Sequence, residues 1–308
     1  MEFAIRHNKS NYSDLSVLGF SRAAHGCSVA TLSCSDAAAN AGKVPTYDWP
    51  IADSPQTKYP YAKNEHANIA EEERCFEQAR QLVNERRSAG KDVAAIIVEP
   101  ISSLEMRSAT PNFYKKLRNL AKTEGIPFIV DETKCGMGQT GKMWGHELWF
   151  LQDRDGGSPD FVTFGGKTGI SGYFSTYAMR QNSHCASFDQ NVDMTKVLTF
   201  GITWRHMQYQ NTLELVQDTS SFLKIELENA ARDKGDISNV RGLGTAIAFD
   251  CVDADSMQSW LLSRGIVVAR VGPNTLGLRP ALVLGPAHAA NLREAVRAYH
   301  VNHDAGRY

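Results

Sequence analysis

The sequence predicts an α/β protein: a large domain over residues 1–233 built on a mostly parallel sheet, then a smaller α+β domain over residues 234–308. Three observations carry this. Val93–Val98 and Phe128–Asp131 are short, apolar, β-rich runs of the kind buried on both faces of a parallel sheet. Between them, Pro111–Thr123 places Phe113, Leu117 and Leu120 on one face behind a starting proline, as a crossover helix requires. Beyond Arg232 the rhythm changes to short alternating segments.

Taken in order, Leu15–Phe20 is apolar and reads as a strand leading into Ala23-Ala24-His25-Gly26-Cys27. From Cys34 to Asn64 the chain is rich in Pro, Asp, Ser and Tyr, which predicts an ordered excursion without regular structure. Glu71–Ser88 reads as a helix: acids lead, Arg86 and Arg87 close, and Phe76, Ala79 and Leu82 share a face. Phe161–Phe164 and Val197–Phe200 read as strands, and Asn211–Arg232 as a long amphipathic helix ending the large domain. The small domain is expected to hold strands near Gly244–Phe249, Ile266–Ala269 and Leu276–Leu278, with helices over Asp255–Ser263 and Ala287–Tyr299.

Bulk properties narrow the partners. The 308 residues carry 33 Lys and Arg against 34 Asp and Glu, a formal net charge of −1. That balance provides no overall electrostatic footprint for nucleic acid or an anionic membrane, and no run reaches the length of a membrane span. Met1–Asp14 lacks the apolar core of a secretory signal, and its Glu2 and Asp14 do not suit a transit peptide. Six scattered cysteines form no C-x-x-C pair. The expectation is therefore a reduced, cytoplasmic protein with no metal site; the mitochondrial matrix is the alternative compartment.

Two strand ends hold the chemistry. Phe128-Ile129-Val130 stops at Asp131-Glu132, and Phe161-Val162-Thr163-Phe164 stops at Gly165-Gly166-Lys167-Thr168-Gly169. In an open α/β sheet, ligands gather beyond the carboxyl ends of the strands, and glycines let the backbone approach a bound group closely. A lysine at one strand end and a carboxylate at another suit pyridoxal phosphate (PLP). The amine forms a Schiff base, and the acid keeps the pyridine nitrogen protonated. Each residue also has an ordinary reading, Asp131 as a turn cap and Lys167 as a solvated loop lysine.

Several segments resemble the 4-aminobutyrate (GABA) aminotransferases, within the class III PLP-dependent aminotransferases. They are Asp48-Trp49-Pro50-Ile51-Ala52, Ile97-Val98-Glu99-Pro100, Val130-Asp131-Glu132, Gly138-Gln139-Thr140-Gly141, Arg241-Gly242-Leu243-Gly244 and Leu278-Arg279-Pro280. The resemblance implies PLP fold type I, with PLP as cofactor, a homodimer, and transfer of an amino group between an amino acid and a 2-oxo acid. It implies Lys167 as the Schiff-base lysine and Asp131 as the partner of the pyridine nitrogen. His25 and Lys134 would lie at the cofactor. Thr203 would reach the phosphate of a neighbouring subunit, and Arg279 would grip a substrate carboxylate. The resemblance covers the later part of a family member, so an N-terminally truncated chain is expected, without the Gly-Ser turn that holds the PLP phosphate.

Other positions depart from that pattern. Ala24 stands where the family has an aromatic stacked on the ring, Cys27 where it has a carboxylate-binding arginine, and Lys134 where it has a glutamine. The gating glutamate falls near Leu104 or Glu105, and the paired cysteines that hold an iron–sulfur cluster in some relatives have no counterpart. These losses define a rival reading: a catalytically impaired paralogue acting as a partner or regulatory subunit.

Overall fold

The computed structural model describes residues 15–36, 44–151, 157–167, 169–180 and 193–304. Its first sheet has six strands: β1 (Leu15–Phe20), β2 (Ile51–Ala52), β3 (Asp92–Val98), β4 (Phe128–Asp131), β5 (Phe161–Phe164) and β6 (Gly172–Ser175). Their spatial order is β2-β1-β3-β4-β5-β6, parallel throughout except for β6, which runs antiparallel to β5 at the edge. Every parallel strand therefore ends on the same side, and residues 21–28, 99–103, 131–133 and 165–167 meet there.

Local chemistry sets these elements. After the one-turn helix α1 (Val29–Leu32), helix α2 spans Glu65–Ser88, beginning six residues before the acid-rich start that the sequence suggests. Its Glu72 is buried and accepts the backbone N–H of Thr110 at 2.7 Å, so that residue faces inward rather than leading a helix at the surface. Helix α3 (Pro111–Glu124) starts on its proline and stops at Gly125 in the left-handed conformation. Its Arg118 reaches Asp160 with two guanidinium nitrogens, at 2.7 and 3.3 Å, while the same carboxylate accepts the Phe128 N–H at 2.8 Å. That buried pair pins the start of β4 to the start of β5. Around it pack Leu18, Ile96, Leu117, Phe128, Val130 and Trp149. The Asp48–Ala52 segment aligns β2 on β1: Gly19 donates to Pro50 O and Ser21 to Ala52 O, at 3.1 and 2.8 Å.

The run Val197–Phe200 is not a strand. It lies inside helix α4 (Met194–Tyr209), whose start is capped by Asp193 accepting the Thr195 and Lys196 N–H groups. Apolar, β-branched content suggested a strand, but a side-chain cap for the orphan N–H groups decides for helix. Helix α5 (Thr212–Lys234) follows. Beyond it lies a four-stranded antiparallel sheet of β7 (Ile237–Leu243), β8 (Ala246–Cys251), β9 (Ala269–Gly272) and β10 (Thr275–Leu278), in the order β7-β8-β10-β9. Helices α6 (Ala254–Ser263) and α7 (Pro286–Asp304) complete it. The strand expected over Ile266–Ala269 begins only at Ala269, where pairing of Gly277 with Ala269 and of Leu276 with Arg270 sets the register. A second core forms here from Phe249, Met257, Leu261, Leu276 and Val296, and α5 contributes Leu223, Leu227 and Ala230 to it. The expected division at 233/234 falls within the last turn of α5, a helix that itself packs on the second sheet.

Candidate active site

Asp131 is the last residue of β4 and is 4 % exposed. Its Oδ1 is filled by three donors: the Thr133 N–H at 3.0 Å, the Thr133 hydroxyl at 2.6 Å and the Thr163 hydroxyl at 2.9 Å. Among the described residues its Oδ2 meets only Nδ1 of His25, at 2.8 Å. An ionised carboxylate offers about four acceptor positions, so Oδ2 keeps a lone pair open. Burial pushes the Asp131 carboxyl up, but the His25 hydrogen bond and charge together with the Thr133 donors outweigh it, and the group titrates below the usual aspartate range. Glu132 points the other way, as strand alternation requires. It is fully buried and accepts both Nδ1 and the backbone N–H of His146 at 2.8 Å.

His25 sits on the loop after β1, with its ring 1 % exposed and its Nε2 without a hydrogen-bond partner among the described residues. Glu99, the residue after β3, lies close to it. Its Oε2 accepts the Ala24 and Ser103 N–H groups at 3.2 and 3.0 Å, and its Oε1 accepts the Ser103 hydroxyl. Burial raises the Glu99 carboxyl above its ordinary range, with His25 and Ser103 opposing and Asp131 adding to the rise. Glu99, Ser103, Thr133 and Thr163 were not singled out from sequence as site residues. A signal existed for Glu99, because its strand ends in a carboxylate just as the Asp131 strand does.

The lysine turn packs directly on the Asp131 turn. Gly166 has φ +70°, and a Cβ there would stand 2.7 Å from Thr133 O, so only glycine fits. Lys167, one residue on, is exposed as a residue, while its Nζ donates to Pro280 O and lies 3.5 Å from Arg279 O. Burial of the amine, then the charge of Arg279, lower the Lys167 pKa from its ordinary value. Arg279 itself donates to Ser103 O at 3.2 Å and Lys134 O at 3.5 Å. Among the described residues no carboxylate lies within 4.0 Å of it, and Glu105 is paired instead with Arg22 at 3.0 Å and Arg107 at 3.3 Å. Asp131, His25, Lys167 and Arg279 are thus brought together by the ends of β1, β4, β5 and β10.

Lys134 is an exposed residue that meets this group through its carbonyl. Cys27 is exposed, and Ala24 takes part through its backbone N–H. Thr203 stands apart in α4, where its hydroxyl donates to Thr199 O at 2.9 Å. That helix leaves Val197, Leu198 and Ile202 exposed.

The ends of the parallel strands thus converge on a carboxylate with one open lone pair and on a lysine of lowered pKa, the two kinds of group that PLP chemistry uses. The chain belongs to the class-III aminotransferase family, whose model matches residues 1–299. It is 34% identical over 281 residues to a 4-aminobutyrate aminotransferase of Dictyostelium discoideum, covering 89% of this chain and 55% of that protein. Over 284 residues it is 34% identical to the mitochondrial 4-aminobutyrate aminotransferase of Homo sapiens, covering 90% of this chain and 56% of the relative. A lysine aminotransferase structure from M. tuberculosis superposes with a TM-score of 0.83 at 25% identity, covering 96% of this chain and 68% of that one. The chain spans a little over half the length of the curated relatives it matches.

PLP fits the residues present. The open lone pair of Asp131 Oδ2 suits a protonated ring nitrogen, and the Gly166 backbone, packed against Thr133 O too closely for a Cβ, brings the turn that carries Lys167 onto the Asp131 turn.

Proposed function

We propose that the chain is a PLP-dependent aminotransferase that moves an amino group between an amino acid and a 2-oxo acid. The observation that carries the reading is the pairing of Asp131, three-fold held through one oxygen and open at the other, with a lysine turn packed on the very residue that holds it. When bound, the cofactor supplies an electron sink for the bonds at the substrate's α-carbon. Asp131 would accept the ring N–H, and His25 would hold Asp131 in place from its Nδ1 side. Lys167 would anchor the cofactor and then, released as a free amine, move the proton at the substrate carbon; a lowered pKa makes that amine a better base near neutrality. Arg279, already aligned by two carbonyls and lacking a carboxylate partner among the described residues, would bind a substrate carboxylate with its remaining donors. Lys134 would add a cation on the rim of this group.

A homodimer is part of the proposal. Val197, Leu198 and Ile202 of α4, with Tyr173 and Phe174 of the edge strand β6, present apolar side chains that a second copy would cover. Thr203 shares helix α4 and would serve the partner subunit's cofactor. Light scattering should give twice the chain mass, and Ile202→Lys should return it to a single chain. The described residues contain no helix long and apolar enough to cross a membrane; a cytoplasmic location is part of the same reading, tested by cell fractionation.

The decisive experiment mixes purified protein with PLP, reduces with borohydride and maps the modified peptide. Pyridoxyl on Lys167, absent in Lys167→Ala, supports the reading. Label on Lys134 or Lys142 would reassign the anchor, and no label with no transfer from any amino donor would sink it in favour of a non-catalytic subunit.

A further inference from the structure

Glu99 is buried in the candidate active site, yet the aminotransfer reading gives it no task. It immediately follows β3 and reaches two loops at once. Its Oε2 accepts the Ala24 N–H at 3.2 Å and the Ser103 N–H at 3.0 Å, and its Oε1 accepts the Ser103 hydroxyl. Each of those residues leads to one half of the site. We propose that Glu99 is a positioning residue that sets His25 through Ala24 and Arg279 through Ser103, so that one side chain holds the cofactor-binding and substrate-binding halves in register. Its role in catalysis rests on the aminotransferase reading; the hydrogen-bonded geometry does not.

Both arms run bond by bond. Ala24 precedes His25, whose Nδ1 meets Asp131 Oδ2 at 2.8 Å, so the Ala24 N–H fixes where the ring enters. Ser103 O accepts Arg279 Nη2 at 3.2 Å, so the turn that Glu99 ties is the turn on which the guanidinium rests. Arg279 also reaches Lys134 O at 3.5 Å, next to Thr133, and Thr133 holds Asp131 Oδ1 through its N–H at 3.0 Å and its hydroxyl at 2.6 Å. The path that leaves Glu99 through Ser103 and Arg279 thus returns to it through Asp131, His25 and Ala24. A fully connected polar network of this kind rigidifies its members, and reactive groups need such support to keep a productive geometry.

Reach, rather than charge, is what these bonds require. Burial raises the Glu99 carboxyl above its ordinary range, and an uncharged amide offers the same acceptor to two N–H groups and a donor to the Ser103 hydroxyl. Length is less forgiving. A side chain one methylene shorter falls about 1.5 Å short, which carries bonds of 3.0 and 3.2 Å beyond hydrogen-bond range. A second tie joins the same two loops without Glu99: the Ser102 hydroxyl donates to Arg22 O at 2.9 Å. It keeps the loops together in a Glu99 variant, and it separates a positioning role from a merely structural one.

The test compares Glu99→Asp, which keeps the charge and loses the reach, with Glu99→Gln, which does the reverse. PLP and glutarate are each titrated in a calorimeter into cofactor-free protein; glutarate carries carboxylates for Arg279 but no carbonyl to react with Lys167. Glu99→Asp should weaken both ligands at least about fivefold, the worth of one lost hydrogen bond, whereas Glu99→Gln should stay within about twofold of wild type. Ser102→Ala should lower the urea midpoint and leave both affinities unchanged. Ser103→Ala frees Glu99 Oε1 and loosens the Arg279 arm alone, so it should weaken glutarate and not PLP, and it decides the case if Glu99→Asp does not fold. Wild-type affinities in Glu99→Asp, unchanged glutarate in Ser103→Ala, or a loss in Glu99→Gln or Ser102→Ala as large as in Glu99→Asp overturns the proposal. If the wild-type chain binds glutarate but not PLP, the cofactor reading fails while the glutarate arm still decides the role of Glu99; if it binds neither, both fall.

Discussion

Replacing Asp131 with asparagine isolates the charge of the site from its shape. The asparagine oxygen can keep the three donors that now reach Oδ1, from Thr133 N–H, Thr133 hydroxyl and Thr163 hydroxyl. Its NH₂ then faces His25 Nδ1, and the imidazole answers by carrying its proton on Nε2, which has no partner among the described residues. The fold therefore exchanges hydrogen bonds to a charged group, worth about 1.5–3 kcal/mol, for neutral ones of about 0.5–1.5 kcal/mol. A net loss of roughly 1–2 kcal/mol follows by that difference. This deficit has a definite pH dependence. The folded Asp131 titrates below its ordinary range, so its stabilising effect is present above about pH 3.9 and is lost as pH falls through the lower folded value. Wild type and variant should converge in acid. For the cofactor the loss is larger, because a charge-assisted contact to the ring nitrogen disappears. At about 1.4 kcal/mol per decade, a loss of about 2–3 kcal/mol weakens PLP roughly 30- to 100-fold. Turnover should fall further than affinity, since an unprotonated ring is a poor electron sink. The assay pairs urea unfolding of PLP-free protein between pH 3 and 7 with PLP titration and single-turnover transfer. Equal PLP affinity and equal turnover in the two proteins would refute the assignment of Asp131.

Four other outcomes are expected. Lys167, whose pKa is lowered by burial and by Arg279, has a larger neutral fraction than a solvated lysine below the ordinary lysine pKa. At pH 8–9, acylation followed by peptide mapping should label it ahead of exposed lysines. Gly166→Ala should cost at least the roughly 1–2 kcal/mol of a left-handed non-glycine residue, with more from a Cβ 2.7 Å from Thr133 O. Thermal unfolding reads the loss, and slower PLP attachment reads the shift of Lys167. Arg118→Met should destabilise by about 3–5 kcal/mol in urea, because Asp160 is left buried and unpaired. Cys27→Arg should raise activity with GABA at least tenfold by restoring a carboxylate fork on this loop, since one charge-assisted bond alone is worth about 1.5–3 kcal/mol; efficient use of GABA by the unaltered chain would contradict it.

Much of this protein was legible in its sequence because the relevant signals are local. Buried parallel strands must be apolar along their length, so Val93–Val98 and Phe128–Val130 declared themselves, and their abrupt ends in Glu99 and Asp131 marked the edge where ligands gather. A starting proline and a left-handed Gly125 bounded α3 for the same reason: capping involves neighbours in the chain. The glycines around Lys167 announced a close backbone approach without saying to what. Only the tertiary structure answered that, by bringing Thr133 O to within 2.7 Å of the position of a Gly166 Cβ.

Other features depended on partners far away in sequence. Val197–Phe200 has strand-like composition, yet a cap at Asp193 and the lack of a paired neighbour make it helix α4. Asp131 and Glu132 are adjacent, but strand alternation sends one to His25, 106 residues away, and the other to His146. The grouping of Glu99 with His25 and Asp131, the pairing of Glu105 with Arg22 rather than Arg279, and the docking of Lys167 on the Arg279–Pro280 carbonyls are each set by which strand ends lie side by side. Hydrophobic periodicity determines that strands form and which face they bury. The strand order β2-β1-β3-β4-β5-β6 decides which loops meet, and it is the meeting of loops that turns separate polar residues into a site.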